Sequence, residues 1–247
     1  MLNLIIFFVT TLIILFIWND LRKEKSTSFG QMFLALILIF VLFAPLSING
    51  NVYTILGNGV AEKNFFSFLS FYQKAKNGNA IQVLGASYQE AQEEAFLGVG
   101  ASFQKAKKCE LIGGINIFQK GDSIETGIGI SLWQESTENS VFDGGISLIQ
   151  MSDKSSCILG GISCLQKGKE LAVMGIGLNI LQWSENNATT CLGASIVQRA
   201  DTTRINGLSL VSMADSFIDN PLGISIVAQA GQKTQTFLAF SSLNANH

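Results

Sequence analysis

The chain has 247 residues, 48% hydrophobic and 14% charged, with 2 prolines and a formal net charge of −2 at pH 7. That much apolar side chain excludes a disordered tail, and 16 basic against 18 acidic residues exclude a basic nucleic-acid binder. The one histidine is His247, the last residue, which removes His-based catalysis and most zinc sites.

Residues 2–18 (LNLIIFFVTTLIILFIW) carry no charge, and residues 32–48 (MFLALILIFVLFAPLSI) form a second uncharged run. Each is 17 residues long, the short end of what crosses a hydrocarbon core of about 30 Å. A cleaved signal peptide would need a basic residue before the first run and a small-x-small site after it, and neither is present. Neither run has a polar face, which argues against two buried helices of a soluble domain. Residues 1–50 are therefore expected to form a transmembrane helical hairpin with helices at about 2–18 and 32–48, in contact with lipid over 2–48. The intervening loop holds Arg22, Lys23 and Lys25, and no Lys or Arg follows the second run until Lys63. The positive-inside rule then puts the loop in the cytoplasm and residues 51–247 on the far side of an inner or plasma membrane.

The remainder, 51–247, is a Gly-rich repeat domain, clearly periodic from about residue 64. Copies read GINIFQ (114–119), GISLWQ (129–134), GISLIQ (145–150), GISCLQ (161–166), GLNILQ (177–182) and GASIVQ (193–198). The closing Gln recurs at Gln73, Gln89, Gln104, Gln119, Gln134, Gln150, Gln166, Gln182 and Gln198, always 15 or 16 residues apart. Ser212, Ala228 and Asn244 continue the column, for about twelve copies. A fixed short period marks a repeat architecture.

Within a copy the alternation has period two, so each copy holds a strand. With the Gln as position 0, positions −4 and −2 are mostly Ile or Leu, −3 is mostly Ser or Asn, and −5 is Gly from Gly114 to Gly223. The aliphatic positions are expected to be the buried face, and polar turns such as KGDS, MSDK and SENN follow each Gln. Two folds fit: a parallel β-solenoid of about 12 coils, or an antiparallel meander or barrel. Identical residues recurring in one column favour the solenoid, where Gln104, Gln119, Gln134, Gln150, Gln166, Gln182 and Gln198 would stack as an amide ladder. In an antiparallel arrangement the same column would alternate between opposite ends of the sheet.

Position −1 is aromatic in its first five occupants, Tyr72, Tyr88, Phe103, Phe118 and Trp133, and aliphatic in the later ones. The stripe is a structural one, or else a strip that takes a protein or glycan partner. The glycine pairs lack the helix and the Lys-Ser/Thr of a phosphate loop, so close backbone packing explains them. Cys109, Cys157, Cys164 and Cys191 lie in apolar stretches without CxxC spacing and are expected to be free thiols. No catalytic residue, metal site or cofactor site is expected.

GIGISLWQ (127–134) and GIGLNILQ (175–182) resemble the unit of Gly-rich bacterial surface β-repeat proteins, roughly Gly-Leu-Gln-Ile-Gly-Leu-Ile-Asn, over about residues 64–244. Ser or Asn stands here for the second Gly of that unit, and Gln for its Asn. The resemblance implies envelope association and no catalytic residues. The sequence as a whole is expected to be a membrane-anchored structural or binding module that takes a protein or glycan partner or forms a homo-oligomer. Two alternatives stand beside it: a membrane effector of antiphage or signalling type with a cytoplasmic ligand-sensing β domain, and a pore-forming β-barrel.

Overall fold

The computed structural model describes residues 45–244. Thirteen strands form one sheet: β1 (Leu46–Ile48), β2 (Asn51–Leu56), β3 (Gly59–Ala61), β4 (Phe65–Leu69), β5 (Tyr72–Ala75), β6 (Ala80–Ala91) and β7 (Glu94–Lys105), followed by β8 (Lys108–Ser152), β9 (Ser155–Gly168), β10 (Leu171–Ser184), β11 (Asn187–Ile205), β12 (Leu208–Ala230) and β13 (Lys233–Asn244). Every pairing from β2 to β13 is parallel and joins residues about one repeat apart, such as Gln89 with Gln104 and Gln166 with Gln182. The fold is thus a parallel β-solenoid of about 11 turns, and the antiparallel meander or barrel is set aside. The long β8 winds through several successive coils without a break in strand geometry.

The transmembrane hairpin expected over 2–48 lies outside the described residues, apart from its last few. Those are corrected: Leu46–Ile48 are strand, not helix, and pair antiparallel with Asn51–Tyr53. Pro45 lacks the N–H that a helix needs and disfavours helix in the residue before it. Asn49 (φ 52°) and Gly50 (φ 83°) then turn the chain back, and an Asn-Gly pair between strands is the strongest short hairpin signal. The solenoid therefore starts at Asn51, earlier than residue 64. Its first coils are held by an asparagine stack, with Asn51 Oδ1 accepting from Asn64 Nδ2 (2.9 Å) and Asn64 Oδ1 accepting from the Asn79 amide (2.9 Å). Among the described residues no helix is long and apolar enough to cross a membrane.

Each coil has three sides, because inward and outward residues stop alternating at three places. In the coil of Gln150 the breaks fall at Asp143–Gly145, between Leu148 and Ile149, and at Asp153–Ser155. Ser140, Phe142, Ser147, Gln150 and Ser152 point inward. This reverses the expectation for the aliphatic columns. Ile146 and Leu148 are exposed, as are most of their counterparts from Ile115 to Ile226, while the Ser/Asn and Gln columns are buried. Period two tells which residues share a face but not which face is inside. Three short sides leave a narrow interior, filled by small residues, one amide column and one larger column at −8. That last column runs Leu97 (at −7 in its shorter copy), Leu111, Thr126, Phe142, Ile158, Met174 and Thr190. Position −1 lies outward on the next side, past the corner at −2.

The first corner depends on glycine. Gly145 has φ +119°, and a Cβ built on it would overlap the carbonyl oxygen of Gly129 in the preceding coil. Gly161 repeats this against Gly145, and the column continues from Gly100 to Gly207. The neighbouring Gly144 has its nearest atom at 3.9 Å, so a Cβ there makes only an ordinary contact. Gly145→Ala is expected to destabilise the protein by about 3 kcal/mol or more, and Gly144→Ala by less than about 0.5 kcal/mol. Thermal unfolding of the full chain, followed by circular dichroism, checks the pair.

Candidate functional site

Three surface or interior features arise from the columns. The first is the amide ladder, whose glutamines are all completely buried. Gln89 Nε2 donates to Gln73 Oε1 (2.9 Å), Gln104 to Gln89 (2.7 Å), Gln119 to Gln104 (2.6 Å) and Gln134 to Gln119 (3.0 Å). Thr126 Oγ1 adds a bond to Gln119 Oε1 (2.7 Å). Beyond Gln134 the column continues but the amide-to-amide bonds do not. Gln150, Gln166 and Gln182 donate to backbone carbonyls of their own coil and the next, as Gln166 does to Ser156 (3.1 Å) and Val173 (2.7 Å). Gln198 faces Ser212 as the next occupant, and neither of its amide atoms makes a hydrogen bond. The ladder expected over seven glutamines thus bonds amide to amide only through Gln134, with Gln73 and Gln89 added at its start.

The second feature is the aromatic column. Tyr72 and Tyr88 stack at 5.7 Å, Tyr88 and Phe103 at 5.0 Å, and Phe103 and Phe118 at 4.8 Å, with interplanar angles of 12°, 17° and 21°. Trp133 follows in the same column. The rings face one another along the solenoid axis, so their faces are used in the stack and their edges meet solvent. A sugar ring stacks on an exposed aromatic face, and the three inner stacks use the ring faces between Tyr72 and Phe118.

The third feature is the side that runs from the glycine corner at −7 to −5 through position −2, with position −1 just past its far corner. From Ile112 to Val227 its sequence contains one charged residue, Asp143. Outward Ile and Leu at −4 and −2 line it coil after coil, and the corner adds Ile128 (74% exposed), Ile176 and Leu192. Charges gather instead on the turns after the Gln. There Lys107 pairs with Glu93 (2.9 Å), Lys120 with Glu135 (2.6 Å) and Lys154 with Glu138 (3.0 Å), each joining neighbouring coils. Exposed pairs of this kind add little stability. A shallow groove of about 590 Å³ on that edge is lined by both signs, including Lys105, Lys120, Glu135, Asp153 and Lys169.

Sequence reasoning missed the aliphatic side as a surface. The signal was there: an interior tolerates an occasional paired charge, but eight consecutive copies nearly free of charge while the turns are full of them describe a segregated exterior. All four cysteines are free thiols. Cys109 is buried, and Cys157, Cys164 and Cys191 are partly exposed. Burial pushes the Cys109 thiol up to about 12, against weaker lowering by its contacts to the Ala106 and Lys120 carbonyls. Among the described residues, no group of three or more His, Cys, Asp or Glu could hold a metal ion. No family model, no curated protein and no solved structure matches the chain.

Two outcomes follow from the interior. Replacing Gln119 by Met keeps the volume but strands its partners, and is expected to cost about 2 kcal/mol. Gln198→Met removes two unpaired buried atoms and is expected to be neutral or stabilising; thermal melting orders the two variants. Cys109 stays protonated in the folded chain, so maleimide at pH 8 is expected to label it only after denaturation, read by mass spectrometry. Its folded value lies above the ordinary thiol value of 9.0, so its contribution to stability is complete below about pH 9 and declines as pH rises towards 12.

Proposed function

We propose that the protein is a non-catalytic binding module of the bacterial cell envelope, held to a membrane through residues 2–44 and presenting its solenoid to a protein partner. The observation that carries this reading is the aliphatic side. A monomer rarely exposes a contiguous apolar patch beyond a few hundred Å², and larger patches mark interaction sites. Here Ile and Leu side chains such as Ile115, Leu178 and Ile226, each about half exposed, extend the patch along most of the solenoid. The side is flat and built on a continuous hydrogen-bonded ladder, so it is a rigid platform rather than a loop surface. The similarity of the repeats to Gly-rich bacterial surface proteins and the uncharged N-terminal runs support the envelope location. The stacked aromatic column serves as internal bracing in this reading.

A tag placed after His247 tests the location. It is expected to be digested by protease in spheroplasts, before lysis, while the full chain remains in the membrane pellet after alkaline carbonate washing. Digestion only after lysis, or release into the supernatant, would overturn the reading.

A further inference from the structure

We propose that the partner on the aliphatic side is a second copy of the same chain, packed face to face in an isologous dimer. The −4 and −2 columns run over eight coils from Ile115 to Ile226. At about 4.8 Å per coil this is a strip roughly 35 Å long. Covering it removes of the order of 800 Å² of accessible surface per copy, the size of a standard stable interface. A copy of the chain also presents the same spacing between its rows, so two such faces meet row on row, as stacked sheets do at about 10 Å.

The small residues fit this arrangement. The proposed dimer has its two-fold axis along the stack, which sets each −4 residue opposite the partner's −2 residue of the same coil. Two of the eight coils carry a small residue in these columns, Cys164 beside Ile162 and Ala194 beside Ile196. In each, the small residue of one copy then faces the large one of the other. The shallow apolar hollow of about 400 Å³ at Ala194, bordered by Leu178 and Leu208, receives an isoleucine. The side also lacks the flanking basic excess that draws a face onto an anionic lipid surface, because the charged edge carries both signs. The shared orientation rests on the membrane-anchored reading above.

The test uses the full chain in its own membranes, in a Cys157→Ser, Cys191→Ser background that leaves Cys164 as the partly exposed thiol. A short bismaleimide is expected to link most chains into dimers through Cys164, whose column borders the corner and stays within reach. The doubly substituted Ile130→Glu, Leu178→Glu chain is expected to lower that yield at least tenfold, and Ile130→Met, Leu178→Met to retain it. Both side chains point outward, and an unchanged β spectrum verifies that the variants fold. The mass of single particles in lipid nanodiscs is expected to give two copies for the unsubstituted chain and one for the Glu variant. One copy per disc for the unsubstituted chain, with the face covered by lipid or by residues 2–44, would overturn the proposal. A dimer unaffected by the Glu substitutions would overturn it as well. Failure of the membrane reading shows separately, as loss of the chain from the membrane pellet.

Discussion

At the corner before each GISLIQ-type copy, consecutive coils approach so closely that only backbone fits between them. Gly145 lies against the carbonyl of Gly129, and Gly161 against that of Gly145, with both residues in a region of φ that side chains avoid. The turn made there sets which residues of the next strand point in. Ser147 and Gln150 go to the interior, and Ile146 and Leu148 to the outside. A residue with a Cβ at this corner would separate the coils, and the parallel ladder on all three sides would lose its register.

A solenoid arranged in this way has its polarity partly reversed. Most of its interior polar groups are not isolated, since a parallel stack sets each amide beside its own kind. The bond from Gln119 to Gln104 is possible because the coils repeat, and Thr126 extends the same network. Buried amides cost little when bonded and much when stranded. Gln89 and Gln104 donate both to the preceding amide and to backbone carbonyls, and beyond Gln134 only the bonds to the backbone continue. Phe142, Ile158 and Met174 fill the −8 column there. Stability is shared between close-packed glycine corners, amide bonds and this apolar column rather than resting on a single hydrophobic core.

The consequence for function is an excess of aliphatic surface on one side and a collection of mixed charge on another. The charged turns carry both signs, with Lys and Glu of neighbouring coils paired along the edge. The aliphatic side leaves its residues about half exposed, as at Ile115 and Leu178. A rigid, flat and uncharged surface of this length is suited to recognition by an equally regular partner.

The repeat length, the strand character of each copy, the Gln and Gly columns and the parallel stacking were legible in the sequence, because identical residues return at the same phase only when coils lie on one another. The free thiols and the packing role of the glycines were legible for the same local reason. The Asn49-Gly50 hairpin was also readable, though its signal was masked by the apolar run that precedes it. What alternation could not supply is the sense of the faces. Whether Ile146 or Ser147 points inward depends on where three corners fall within the coil, and each corner is a contact between residues one repeat apart. Strand periodicity is a property of neighbours along the chain. The inside of a solenoid is a property of the closed coil, and the tertiary structure alone decided it.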